Sequence, residues 1–138
     1  MLTDADILLD IDRKRISARE FAERMRFISI FTAIEFSKLN IYETHKGLHV
    51  YLWCKDKKPS PQEKVVIQLA LGSDYRREIF NWLRVTGTQT PKRWNILFQG
   101  KYDGNGKRVS REEHTELAIR LEEQIMALYE ILREIDNE

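Results

Sequence analysis

The chain has little of what secreted and membrane proteins rely on. One cysteine among 138 residues excludes an internal disulfide and a zinc site built from cysteines. No apolar run approaches the roughly 20 residues of a membrane-spanning helix, and the N-terminus lacks the cationic-then-apolar pattern of a signal peptide. We therefore expect an intracellular, cytoplasmic protein without a membrane partner.

What the chain does have is charge, on a length that suits one domain with a buried core. Charged residues make up 33% and hydrophobic residues 42%, a balance typical of folded proteins. The net charge of +1 is the sum of −1 at 1–43, +9 at 44–111 and −7 at 112–138. A basic middle segment suits DNA or RNA as a partner, and it suits a solvated or internally compensated surface equally well.

Hydrophobic periodicity and turn residues predict the element order β-α-β-β-α-α-β-α. Capping boxes at Ser17 and Ser60, and Ser73 or Asp74 as a cap, mark three helix starts. Runs rich in β-branched and aromatic residues read as strands. The predicted elements are a strand at 6–11, a helix to about Lys38, strands at 39–44 and 47–53, helices at 61–71 and 74–85, and a strand at 92–102.

A last helix is predicted from Ser110, which opens a third capping box, to the C-terminus. Its apolar residues recur at a heptad-like spacing, which suits packing on the protein's own sheet or on a partner, including a homodimer. We predict a domain at 1–109 followed by this amphipathic helix at 110–138. The stripe consists of Ala118, Leu121, Ile125, Leu128, Leu132 and Ile135.

This order predicts an α+β fold of the RNA-recognition-like or ferredoxin-like type, β-α-β-β-α-β, with helices covering one face of the sheet. The first and third strands of that topology are neighbours. Asp10 and Asp12, which end the first strand, should therefore face Lys46 and His49, which begin the third.

Asp10 and Asp12, in the sequence LLDID, leave the same face of a strand. Two carboxylates so close repel each other unless a cation lies between them, and oxygen ligands suit Mg²⁺ or Mn²⁺. The pair can also be read as a solvated strand end, because two aspartates at this spacing are common.

The hairpin sequence THKGLHVY has the composition of a cradle for a nucleoside triphosphate. Gly47 permits a tight turn with exposed backbone N–H groups, and Lys46 supplies a positive charge. His49 adds a directional donor and Thr44 a hydroxyl. The alternative for His49 is a half-buried sheet histidine with a satisfied hydrogen bond.

A basic strip follows on the third helix, where Phe80 and Leu83 are predicted to turn inward. Such a strip can contact nucleic-acid phosphates in a salt-dependent way, or it can be a solvated basic face. Aromatic residues on the strands can stack on bases or belong to the core. The strip consists of Arg76, Arg77, Arg84, Lys92 and Arg93, and the aromatic residues are Tyr42, Tyr51, Trp53, Trp94 and Phe98.

LLDID and T-x-K-G-L-H-V-Y together resemble motifs I and II of the archaeo-eukaryotic primase superfamily, which includes primase-polymerases and the polymerase domains of bacterial end-joining ligases. The segment GSDYRREIFNWLRV is similar to the basic helix region of plasmid and viral primase-like proteins, so the resemblance spans roughly residues 7–98. It implies metal-dependent nucleotidyl transfer in DNA replication or repair. The implied catalytic metal ligands are Asp10 and Asp12, and the implied phosphate-binding residues are Thr44, Lys46 and His49.

Two departures from the family pattern keep alternatives open. The family's third motif places an Asp on a later strand, where this chain has Asn95, and Asp74 is a possible substitute. Family members also carry an α/β module before motif I, whereas nine residues precede Asp10. The alternatives are a non-catalytic nucleic-acid-binding accessory protein of a virus or plasmid, and an interaction protein organised by the last helix.

Overall fold

A computed structural model describes residues 4–97, 100–102 and 108–136. Within them the predicted α+β class is confirmed, with a three-stranded antiparallel sheet and four helices. None of the helices in this part of the chain is long and apolar enough to cross a membrane. The elements are β1 (Ile7–Ile11), α1 (Ala18–Thr32), β2 (Phe36–Glu43), β3 (Leu48–Cys54), α2 (Pro61–Ala70), α3 (Tyr75–Thr86), β4 (Gly100–Tyr102), β5 (Arg108–Arg111) and α4 (Glu116–Asp136).

The main sheet has the strand order β1-β3-β2, with β3 in the centre and antiparallel to both neighbours. β1 and β2 are therefore parallel to each other, and α1 connects them. The predicted adjacency of the first and third strands is confirmed, because Asp10 pairs with His49 across the ladder. β4 and β5 pair with each other in a separate two-stranded sheet.

One face of the main sheet belongs to the hydrophobic core. Alternate residues of a strand point to opposite faces, and the apolar set on this face forms one cluster with α1 and α4. Tyr129 of α4 is fully buried there, where its hydroxyl contacts Ser29 Oγ at 2.8 Å and accepts from the Phe36 N–H at 3.1 Å. The fully or almost fully buried strand residues include Ile7, Leu9, Ile11, Leu48, Val50 and Leu52.

The heptad-like stripe of α4 packs on this same core. Ala118 and Ile125 are buried, and Leu121, Leu128 and Leu132 pack against the cluster. The last stripe residue lies beyond the contact and is 56% exposed; it is Ile135.

Two predicted helix boundaries are wrong. α1 ends at Thr32 rather than near Lys38, because Ala33 takes a left-handed conformation with φ 60° and Phe36 already pairs in β2. α4 begins at Glu116 rather than at Ser110, since 108–111 form β5. Its first turn is capped by Thr115, whose Oγ1 accepts from the backbone N–H of Ala118 at 3.2 Å.

The strand predicted at 92–102 is also wrong over most of its length. Residues 92–97 form no strand, and among the described residues of this segment only Gly100–Tyr102 are in a strand. The outer edge of β1 is hydrogen-bonded by other groups: the Leu8 N–H donates to Gln68 Oε1 at 3.1 Å, and the Asp10 N–H donates to Ser73 Oγ at 3.0 Å. The Asp10 carbonyl accepts from the Asp74 N–H at 2.6 Å. These bonds use the edge that a further strand would need.

Candidate functional site

A cleft of about 550 Å³ opens where β1 ends and β3 begins. Its walls come from the end of β1, the β2–β3 turn, α3 and the segments around residues 91–97 and 111–112. Two residues of the predicted basic strip, Arg76 and Lys92, do not line it. Eight of the ten predicted site residues do, namely Asp10, Asp12, Thr44, Lys46, His49, Arg77, Arg84 and Arg93.

The strand register explains how the acidic and imidazole groups meet. Asp10 and His49 are direct partners in the antiparallel ladder, so their side chains leave the same face of the sheet. His49 Nε2 lies 3.6 Å from Asp10 Oδ1. The His49 side chain is only 9% exposed, whereas the Asp10 side chain is 43% exposed. The ring therefore forms the floor of the cleft and the carboxylate faces its open space.

Glu112 holds the other side of the imidazole. Its Oε1 contacts His49 Nδ1 at 2.6 Å and also accepts from the Tyr51 hydroxyl. Glu112 was not among the predicted site residues, because 63 positions separate it from His49. In the sequence, Glu112 is marked by its place directly after the polar segment that forms β5.

The β2–β3 turn lies against the end of β1. A Cβ atom on Gly47 would sit 1.9 Å from the Ile11 carbonyl oxygen, so glycine is required there by this close approach. The Gly47 N–H donates to Thr44 Oγ1 at 3.0 Å, and the Thr44 N–H donates to the Gly47 carbonyl at 2.9 Å. The turn was predicted to expose backbone N–H groups, and the N–H of Gly47 is not one of them, because the turn itself uses that group. Lys46 is exposed at the mouth of the cleft.

The arginines of α3 are less free than the predicted strip required. Arg77 donates to the Leu8 carbonyl at 3.1 Å and to Asn95 Oδ1 at 2.8 Å, and its side chain is 13% exposed. Its guanidinium thus joins α3 to β1 and to the segment after α3. Arg84 donates to Asn81 Oδ1 at 3.0 Å, and Arg93 is exposed on the rim.

α3 buries polar residues, and the prediction that Phe80 and Leu83 turn inward is wrong. Both are 61% exposed, and Phe80 lines the cleft. The buried face instead carries Glu78 and Asn81, each 1% exposed. Glu78 accepts hydrogen bonds from four side chains, those of Gln68 and Ser73, both at 2.7 Å, Asn81, at 3.1 Å, and Arg77.

Asp10 and Asp12 give the cleft two carboxylates, the ligand type that hard divalent cations prefer. In the described part of the chain, no group of three or more His, Cys, Asp or Glu residues is arranged to hold a metal ion. Asn95 is not free to add a ligand, because its amide donates to Gln68 Oε1 at 2.7 Å as well as accepting from Arg77. Asp74 caps α3.

The aromatic residues of the strands are mostly covered. Tyr51 is 3% exposed and Trp94 8%, so neither offers a ring face to a base. The Trp53 ring lies 4.5 Å below the Lys38 ammonium group. Burial, with the charges of Glu112 and Glu122, raises the pKa of Tyr42 above its ordinary value. Phe98 lies outside the described residues.

The cleft therefore combines acidic groups at its base with cations at its rim. Asp10 and Asp12 lie at the strand end, and Lys46 and Arg93 lie at the opening. Such an arrangement can hold a polyanion together with a cation that bridges it to the carboxylates. Comparisons of the chain with protein-family models, with curated proteins and with solved structures found no match.

Proposed function

We propose that this cleft binds the phosphates of a nucleoside triphosphate with Mg²⁺ or Mn²⁺, in a domain of the primase-polymerase type. One observation carries the proposal: two motifs some thirty residues apart in the chain line one cleft, with Asp10 and His49 paired in register. The resemblance to the primase superfamily was drawn from these same motifs, so their convergence in space supports it.

The residues of the cleft divide the work by charge. Asp10 and Asp12 would hold the cation, which would take its remaining ligands from water and from phosphate oxygens. Lys46 and Arg93 would neutralise the outer phosphates. His49 would contact a phosphate oxygen through Nε2, the ring nitrogen on the Asp10 side.

We also propose that the fold is a variant of the RNA-recognition-like topology. The order β1-β3-β2, with α1 joining the parallel strands β1 and β2, supports this relationship. The variant lacks strand pairing at the outer edge of β1 in the described residues, where Gln68, Ser73 and Asp74 make the hydrogen bonds.

The reaction we propose is nucleotidyl transfer, in which a 3′-hydroxyl of a DNA or RNA strand attacks the α-phosphate and pyrophosphate leaves. A bound divalent cation supplies Lewis-acid stabilisation of the phosphate charge. The chain's own contribution is to hold the triphosphate between Lys46 and His49, so that the α-phosphate lies near Asp10 and Asp12.

A second candidate is a non-catalytic protein that binds nucleic acid in the same cleft. The described residues contain no group of three metal-binding side chains, which favours this candidate over a two-metal enzyme. Exposed Lys46 and Arg93 would then contact the backbone of a strand. The stripe of α4 packs inside its own domain, so no observation favours the third alternative, a helix-mediated interaction protein or homodimer.

Thermal unfolding with and without nucleotide tests the first proposal. Mn²⁺ with a dNTP at about 100 times its Kd should add about 2.7 kcal/mol to stability and raise Tm. The double variant Asp10→Asn, Asp12→Asn should lose this increase. Asp56→Asn changes an exposed carboxylate that does not line the cleft and should keep it. An unchanged wild-type melting curve would count against nucleotide binding.

Oligonucleotide binding separates the two candidates. The accessory protein should bind a labelled strand with an affinity that falls steeply with salt and does not need Asp10, Asp12 or a divalent cation. The transferase should extend a primer with labelled nucleotide, and the aspartate variants should abolish the extension. Salt-dependent binding without any extension would favour the accessory protein.

A further inference from the structure

The imidazole of His49 lies between two carboxylates, one at each ring nitrogen. Nδ1 is 2.6 Å from Glu112 Oε1, and Nε2 is 3.6 Å from Asp10 Oδ1. The first distance is that of a charge-assisted hydrogen bond, and the second is too long for one. The ring is therefore held from the Glu112 side and faces the cleft from the Asp10 side.

Both partners of the short contact are enclosed. The side chains of His49 and Glu112 are 9% and 10% exposed, and Tyr51, which also donates to Glu112, is 3% exposed. A buried carboxylate is costly unless hydrogen bonds compensate for its lost water. Glu112 meets this requirement with two donors, and both lie on β3.

The backbone fixes Glu112 independently of any ligand. Its neighbour Glu113 exchanges two hydrogen bonds with Glu43, each of 2.8 Å. Glu43 ends β2, the strand that pairs with β3 at His49 through Tyr42. The segment that carries Glu112 is thus attached to the same sheet that carries the imidazole.

We propose that Glu112 is the positioning residue for His49, an inference that rests on the proposed nucleotide-binding function. By accepting from Nδ1–H, Glu112 holds the ring so that Nε2 faces the phosphate, and Nε2–H donates to a phosphate oxygen when both ring nitrogens carry a proton. Tyr51 supports Glu112 from behind. Carboxylates that orient a metal-ligating histidine in this way typically change metal affinity or activity by about 10- to 100-fold, and we expect an effect near the lower end of that range here.

The first test needs no ligand. In the ¹H–¹⁵N spectrum of the imidazole groups, wild-type His49 should show an Nδ1–H proton protected from exchange. Glu112→Gln, which keeps the shape but removes the charge, should weaken that protection. Glu113→Gln is the matched control, because Glu113 is the neighbouring acid and its side chain is 58% exposed. A wild-type spectrum without the protected proton would overturn the proposal.

The second test is a double-mutant cycle on Mn²⁺–dATP affinity, measured by calorimetry. Glu112→Gln should weaken binding about tenfold in the wild-type background. It should change nothing further in a His49→Asn background, because Glu112 acts through the ring. Equal losses in both backgrounds would overturn the positioning role.

Two further results separate the positioning role of Glu112 from the proposed nucleotide-binding function. Tyr51→Phe should reproduce a smaller part of the Glu112→Gln effect in both tests, and it removes one hydroxyl without altering charge. If wild-type protein binds no nucleotide, the proposed function fails, and the imidazole spectrum alone then decides whether Glu112 orients His49.

Discussion

The two faces of the three-stranded sheet are covered by different chemistry. On one face, Leu9, Val50 and Leu52 are fully buried in an apolar cluster with α1 and α4. On the other face, His49 and Tyr51 are almost as deeply buried, but specific polar partners cover them. A hydrophobic contact tolerates many side chains, whereas each polar contact requires a particular donor or acceptor.

Two helices differ in the same way: α1, which packs on the apolar face, and α3, which packs on α2 and is joined to the edge of β1 through Arg77. α1 buries apolar residues such as Phe21 and Met25. α3 buries Glu78 and Asn81 and leaves Ile79 and Leu83 more than half exposed. The apolar side chains therefore mark the buried face of α1 but lie largely on the exposed face of α3.

The largest effect on stability should come from the buried polar network around Glu78. Glu78→Ala would leave Arg77, Gln68 and Ser73 without their buried acceptor. Breaking a buried, hydrogen-bonded charge pair typically costs about 3–5 kcal/mol. We expect a loss of this size in the free energy of unfolding, measured in urea.

Two companion variants define the comparison between the faces. Glu78→Gln keeps an acceptor and should cost less than Glu78→Ala. Leu52→Ala, on the apolar face, should cost about 2–5 kcal/mol through the cavity it leaves. A Glu78→Ala protein as stable as the wild type would show that the polar network does not hold α3 in place.

The apolar side was largely predictable from sequence, and the polar side was not. Strands were predicted at 6–11 and 47–53, and packing on the protein's own sheet was one of the two readings given for the apolar stripe of α4, which does pack on the core. The buried face of α3 was predicted wrongly, because the spacing of apolar residues along a helix does not by itself reveal which face is buried. Glu112 was missed because its contact with His49 depends on the long-range bridge between Glu43 and Glu113, which no local pattern encodes.

The next largest effect on stability is expected at Gly47, where the β2–β3 turn contacts the end of β1. Gly47→Ala would place a methyl group on the Ile11 carbonyl, and such overpacking typically costs about 1–3 kcal/mol. Because the turn carries Lys46, the variant should also weaken nucleotide binding. Calorimetry with Mn²⁺–dNTP and urea unfolding measure the two effects.

Gly87→Ala is the matched control for this change. Gly87 ends α3 and does not line the cleft, and its nearest contact for an added Cβ is 3.3 Å, to the Leu83 carbonyl oxygen. We expect a stability change within about 0.5 kcal/mol and unaltered nucleotide affinity. Equal losses in both variants would mean that the close approach at Gly47 is not what organises the cleft.

A smaller effect on stability is expected at high pH, from the Cys54 thiol that is buried on the apolar face. Burial, and then the charge of Asp6, raises the pKa of the Cys54 thiol from 9.0 to about 12. The unfolded chain releases this proton first, so the contribution to stability is complete below pH 9 and is lost as pH rises towards 12.

Cys54→Ser removes this titration. Its unfolding free energy should therefore fall less steeply than that of the wild type above pH 9, as measured by denaturant unfolding at a series of pH values. Parallel curves for the two proteins would show that the thiol is not desolvated.

The smallest expected effect is a change in the pKa of Tyr42, which lies on the polar face beside two carboxylates. The pKa of Tyr42 is raised first by burial and then by the carboxylates of Glu112 and Glu122. Glu122→Gln removes one of these charges and should move the Tyr42 pKa part of the way back towards 10.0, because burial continues to act. The amide oxygen can still accept from the Ile41 N–H, which Glu122 now binds at 2.6 Å.

The Tyr42 titration can be followed by ¹³C NMR of the labelled tyrosine ring. Glu123→Gln is the control, since Glu123 is exposed and is not among the groups that raise this pKa. A raised pKa favours the folded state below the ordinary tyrosine value and ceases to do so at higher pH, so Glu122→Gln should also slightly weaken the alkaline loss of stability. A Tyr42 pKa that ignores Glu122 would mean that burial alone sets it, and the two faces would then differ less than their hydrogen bonds indicate.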